Sequence, residues 1–141
     1  MTKLLLSVHV LAAVIAIGPV AVAASMFPAA LRAATPDQTA LRLLHRICRV
    51  YAGVGIVVPV FGLATGSSLG VLGDAWLLVS IALTAAAAGV LGLLVLPRQR
   101  DVLAGVRVEP SRLAAHAGVF NLLWAVVTVL MIVRPGSTTG A

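Results

Sequence analysis

The stretch LLLSVHVLAAVIAIGPVAVAASMFPAAL, residues 4–31, decides the fold class. It runs for 28 residues without a formally charged side chain and holds one histidine, His9. Crossing the ~30 Å hydrocarbon core of a bilayer takes about 20 mostly apolar residues in helical form. The stretch exceeds that length. Three further uncharged runs follow: Val50 to Gly73, Ala75 to Pro97 and Leu113 to Val133. Only helices and closed barrels satisfy their backbone inside lipid, and runs of this length suit helices. The pattern therefore predicts an all-α, four-helix transmembrane bundle. It forms a single integral membrane domain, with spans over about 4–31, 50–72, 75–96 and 113–133.

Composition points to the same solvent. The chain is 61% hydrophobic and 10% charged, with a mean hydropathy of +1.13. Soluble domains carry about 25% charged residues. The net charge of +6 is not a nucleic-acid signature, because the basic residues flank the runs and aromatics make up only 4%; a base-stacking surface needs more of them. The single cysteine, Cys48, excludes an internal disulfide. Arginine outnumbers lysine nine to one, which points to a GC-rich bacterial genome and so to a bacterial inner membrane.

Charge also sets an expected orientation. Arg32, Arg42, Arg46 and Arg49 lie between runs one and two, and Arg98, Arg100, Arg107 and Arg112 between runs three and four. Lys3 and Arg134 are the basic residues on the other side. Eight against two puts both basic links in the cytoplasm and both termini outside. A cleaved signal peptide over residues 1–23 is the competing reading of the first run. It has Lys3, an apolar core and the small residues Ala21 to Ala24. The run continues to Leu31, however, and cleavage would need the Lys3 end in the cytoplasm, against the charge bias.

Local signals subdivide the runs. Gly18-Pro19 predicts a kink in the first span, and Pro59 one in the second. Thr35-Pro36-Asp37-Gln38 reads as a helix start with Thr35 as cap. Arg42, Arg46 and Arg49 then share one face of an amphipathic approach to span two. Gly62 with Gly66, Ala85 with Gly89, and Ala88 with Gly92 are small-xxx-small pairs, at the spacing of helix contacts inside a bundle. Gly70 to Asp74 is a tight link, Pro97 to Arg112 a second basic loop, and Arg134-Pro135-Gly136 a stop before a disordered tail.

Few residues could carry chemistry. His9 lies about 9 Å along the helix from Lys3. It shares a face with Ala12, Ala13, Ala16, Val20, Ala23 and Phe27, which should turn inward. A hydrogen bond across the bundle is the expected role. An axial ligand to haem or copper is the alternative, followed by a proton-relay or quinone contact. His45 and Cys48 share a helical face, and His116 opens the fourth span near the same interface. Together they would suit Cu(I) or Zn(II), against a plainer role as interfacial histidines and a small apolar cysteine. Asn121, mid-span beside Trp124 and Thr128, should make an interhelical polar contact. The acidic residues Asp37, Asp74, Asp101 and Glu109 all lie in links. That disfavours a carboxylate-based proton pump or channel. There is no phosphate loop, nucleophile-base arrangement or carboxylate pair of recognised spacing, so an enzyme reading has little support.

Several segments carry a resemblance. Leu4-Leu5-Leu6-Ser7-Val8-His9-Val10-Leu11-Ala12-Ala13, with Gly18 nine residues after the histidine, resembles a bacterial family of predicted four-helix integral membrane proteins of unknown function. So do His45-Arg46 with Arg49-Val50-Tyr51, Val58-Pro59-Val60-Phe61-Gly62, Asp74-Ala75-Trp76-Leu77 and Leu96-Pro97-Arg98. This resemblance implies a membrane location and no particular activity. The His9 region alone is also similar to copper-resistance D proteins and to the small haem-linked membrane oxidases of porphyrin synthesis. Ile17 stands where those usually carry a tryptophan before the glycine. The expected function is a non-enzymatic accessory or interaction subunit. Its partners would be the lipid bilayer and another membrane protein or a second copy, with no nucleic acid. Haem or copper binding and small-solute transport are the alternatives.

Overall fold

The computed structural model describes residues 2–33 and 35–133, and within them the chain is all-helical. Helix α1 spans Thr2–Leu31, α2 Gln38–Val54, α3 Val57–Leu69 and α4 Ala75–Gly89. A π-helical segment, Val90–Val95, joins α4 to α5, Leu96–Leu103, and α6 covers Pro110–Val133. Four stretches, Lys3–Leu31, Gln38–Leu69, Ala75–Leu103 and Pro110–Val133, are long and apolar enough to cross a membrane. Only 11% to 22% of their most apolar windows is buried inside the protein. The remainder is half-buried or exposed, and its exposed part is an apolar surface far beyond what a water-soluble monomer shows.

Helix α1 is the central element and packs against α2, α3 and α6, while α6 also packs on α4 and the π segment, and α5 returns to α2. Of the inward face read around His9, Ala16, Val20, Ala23 and Phe27 are buried, while Ala12 and Ala13 are half-buried. The main core gathers at the end bearing the two basic links. There Phe27, Leu41, Leu44, Cys48, Val95, Val102, Leu113 and Phe120 interlock. A smaller cluster of Val71, Trp76 and Leu77, with Met131 against it, closes the opposite end.

The two prolines of α1, Pro19 and Pro28, sit inside a helix that continues through both. Span two, by contrast, breaks. Helix α2 ends at Val54 and α3 restarts at Val57, two residues ahead of Pro59. The ring of a proline clashes with the carbonyl four residues back and offers it no N–H. Here that carbonyl is Gly55 O, which accepts instead from Val58 N at 3.1 Å.

Three details differ from the sequence pattern. The cap of α2 is Asp37 rather than Thr35: its carboxylate accepts from Thr39 N at 2.9 Å. Thr35 precedes a proline, which holds it away from helical dihedrals. Pro97 does not end span three. The π segment ends just before it, with Leu96 N–H reaching back to Leu91 O. The wider turn takes the proline ring without breaking the rod. The helix then runs on to Leu103, so the second basic loop shrinks to residues 104–109. Finally, of the expected small-residue contacts in span three, Ala85, Ala88 and Gly92 are exposed and Gly89 half-exposed. A Cβ added at Gly89 or Gly92 would meet nothing within 4 Å.

Two glycines close helices in the left-handed conformation, Gly70 (φ 72°) and Gly105 (φ 86°). Val71 N bonds Gly66 O at 3.0 Å, and Val106 N bonds Asp101 O at 2.9 Å. These six-to-one bonds satisfy helix-end carbonyls that lipid or headgroups would leave bare. The stop at Arg134 and the tail beyond it lie outside the described residues.

Candidate functional site

Hydroxyl groups inside the helices need no outside partner. Ser7, Ser25, Thr65, Ser80, Thr84 and Thr128 each donate to the carbonyl four residues back, at 2.7 to 2.8 Å. Such back-bonding hides a polar group within its own helix. The side chains that reach across the bundle are fewer: His9, His45, Gln99 and Asn121.

His9 is buried, and its Nδ1 lies 2.7 Å from Val58 O. A carbonyl only accepts, so Nδ1 carries a proton, and in the neutral ring Nε2 is the nitrogen with the lone pair. Span two is shaped for this contact. The acceptor directly precedes Pro59, beside the break in the helix. Gly62, one turn on, leaves room for the ring: a Cβ there would stand 2.8 Å from His9 Cε1. His9, Pro59 and Gly62 therefore act together as one clasp between α1 and α3. The Gly62–Gly66 pair read from sequence does bring neighbours close, with Leu72 and Leu77 each 3.1 Å from where a Gly66 Cβ would sit.

The second contact joins spans two and three. His45 Nδ1–H donates to Gln99 Oε1 at 3.0 Å, and Gln99 Nε2 donates to Cys48 Sγ at 3.7 Å. Gln99 and Cys48 are fully buried and His45 nearly so. Gln99 falls in the segment that sequence assigns to a loop. Its legible signal is the spacing Val95, Gln99, Val102, a buried row that appears once the helix is carried past Pro97. The π segment sets that row. From Leu91 in a straight α-helix, Gln99 would be rotated about 80° off the core face.

His116 stands apart from this pair. It is half-buried, its Nδ1 has no partner, and Arg98 and Arg112 act on it electrostatically. His45, Cys48 and His116 therefore do not assemble as a ligand set. Among the described residues no three His, Cys, Asp or Glu side chains are grouped to hold a metal. Cys48 is met by an amide N–H rather than a second ligand.

Asn121 Nδ2 donates to Ser25 Oγ on α1 at 2.9 Å, while its Oδ1 and the nearby Trp124 Nε1 are buried without partners. Trp124 stacks edge-on to Phe120, with ring centroids 6.3 Å apart. Between these rings and the break in span two lies a half-open cavity of about 110 Å³, reached by all four spans through Ile17, Gly55, Pro59, Thr84 and Trp124. Its walls are almost wholly apolar.

Comparison of the chain with protein-family models, with curated proteins and with solved structures gives no match.

Proposed function

We propose that this chain is a multi-pass protein of a bacterial inner membrane, with both termini outside, and that it works as a non-enzymatic interaction subunit. One observation carries the reading. The small-residue stripe of span three turns largely outward: Ala85 and Gly92 are exposed, Gly89 is half-exposed with open space beside it, and Ala88 is exposed at the edge of the cavity. In lipid, helices associate through such close-packing faces rather than by hydrophobic burial. A stripe of this kind is self-complementary, so a second copy about a two-fold axis is the favoured partner. The polar side chains fit the same reading, because His9, His45, Gln99 and Asn121 are spent on fastening the bundle. The charge bias of the links supports the orientation. Native mass spectrometry of the detergent-solubilised protein tests the proposal: a dimer or larger species is expected, and a lone monomer with no companion would count against it.

His9 supports a second reading. Histidines that bind metal donate their other ring nitrogen to a carbonyl or carboxylate, which fixes the tautomer. His9 has that pose, with Nε2 left as a lone-pair donor for haem or copper. Absorbance spectra of the oxidised and reduced protein, with metal analysis, decide it. A stoichiometric cofactor lost on His9→Ala promotes this reading, and a colourless, metal-free protein retires it.

A further inference from the structure

The cluster around His116 has no counterpart among the fasteners. Arg98 is the first charged residue met on leaving the third apolar run, and Arg112 the last before the fourth begins. Helix α6 packs against the π segment that leads directly into α5, so these two flanks belong to neighbouring spans at the same end of the bundle. His116 lies one turn beyond Arg112 on α6, and residues that far apart share a helical face. The buried neighbours Leu113 and Ala117 hold this turn of α6 in the core. Arg98 is half-buried and is followed by Gln99, which is locked to His45.

Arg98, half-buried, and Arg112, exposed, thus both act on His116 at the depth where an apolar run meets the headgroups. Among the described residues, neither arginine makes an ion pair or a side-chain hydrogen bond, and His116 Nδ1 is buried without a partner. The nearest acidic residues in sequence, Asp101 and Glu109, are both exposed. The two guanidinium charges have no counter-charge among the described residues, and an anion bound between them supplies one. Planar guanidinium groups match the paired oxygens of a phosphate.

We propose that Arg98, Arg112 and His116 form a phosphate-binding site at the basic end, between spans three and four. The site takes the phosphodiester of an anionic lipid, whose acyl chains then run down the apolar faces below it. Free inorganic phosphate shares the recognised chemistry and is the other source. The proposal rests on the membrane reading, which alkaline carbonate extraction of membranes tests separately. Failure of the lipid site would leave a carbonate-resistant protein, whereas failure of the membrane reading would release it.

The experiment uses the full chain in neutral detergent. Phosphatidylglycerol, phosphatidylcholine with the same acyl chains, and inorganic phosphate are titrated in turn. Bound lipid is counted by native mass spectrometry and stabilisation is followed by thermal unfolding. Preferential binding of one phosphatidylglycerol is expected. Arg98→Gln with Arg112→Gln should weaken it about 30-fold. Arg42→Gln with Arg46→Gln removes equal charge from span two and should leave that binding within about twofold. Equal losses in the two pairs, or no preference for phosphatidylglycerol, would overturn the site in favour of diffuse attraction. Stabilisation by inorganic phosphate alone, with the same dependence on Arg98 and Arg112, would keep the site and assign it to the free anion. Should the glutamine pair unfold, Arg98→Lys with Arg112→Lys keeps the charge but loses the fork geometry. A clear loss of phosphatidylglycerol binding is then expected, and full retention would refute the geometric assignment.

Discussion

The two ends of the bundle are fastened differently. Away from the basic links, one histidine bonds one backbone carbonyl, and the device works because span two is broken by Pro59 and hollowed by Gly62. At the basic end, His45, Gln99 and Cys48 form a side-chain chain inside the large core cluster, and nothing in it depends on a missing Cβ. The first fastener is set by backbone shape, the second by side-chain identity. Substitutions should therefore separate the two ends.

The largest effect is expected at Gly62. Gly62→Ala places a Cβ against a ring that cannot swing away without giving up Val58 O, and overpacking of this kind costs about 1–3 kcal/mol. The upper part of that range is expected in SDS-induced unfolding from mixed micelles. A neutral result would mean that span two yields freely at its break. Next is Gln99→Leu, which fills similar volume but leaves His45 Nδ1–H buried and unpaired. An orphaned buried donor costs about 1–3 kcal/mol, and the lower half of that range is expected in the same assay.

Pro97→Ala sharpens the basic end. If the π segment exists because of the proline ring, its removal lets the helix tighten and turns Gln99 off His45. The double variant Pro97→Ala with Gln99→Leu should then cost no more than Gln99→Leu alone. Simple addition of the two costs would show that the π segment and Gln99 are independent. The smallest effect belongs to Asn121→Ala. Interhelical polar contacts in membranes average about 0.6 kcal/mol, and this one joins a half-buried amide to an exposed hydroxyl. A loss above about 1.7 kcal/mol would mark Asn121 as more than a fastener.

The same contrast explains what sequence makes legible. The four helices, the inward face of His9 and the break near Pro59 follow from length, periodicity and proline chemistry, all local properties. Gln99 does not. Its role depends on whether Pro97 ends a helix or is absorbed by a π turn, and tertiary packing decides between those outcomes. The grouping of His45 and Cys48 with His116 fails for a related reason. Helical spacing places His45 beside Cys48, but which neighbour faces them depends on the rotation of spans three and four. Small residues mislead in the same way. Spacing shows that Ala85, Ala88, Gly89 and Gly92 can admit a helix, but not whether that helix belongs to the same chain.

That last point is the most direct to test. Cys48→Ser removes the single natural cysteine, and new cysteines can then be placed one at a time and oxidised in native membranes. Ala85→Cys and Gly89→Cys should yield a discrete disulfide-linked dimer. Val14→Cys and Leu122→Cys, at positions 67% and 65% exposed on spans one and four, should stay monomeric. Equal crosslinking at all four positions, or none at Ala85 and Gly89, would contradict the assignment of span three as the face that meets a second copy.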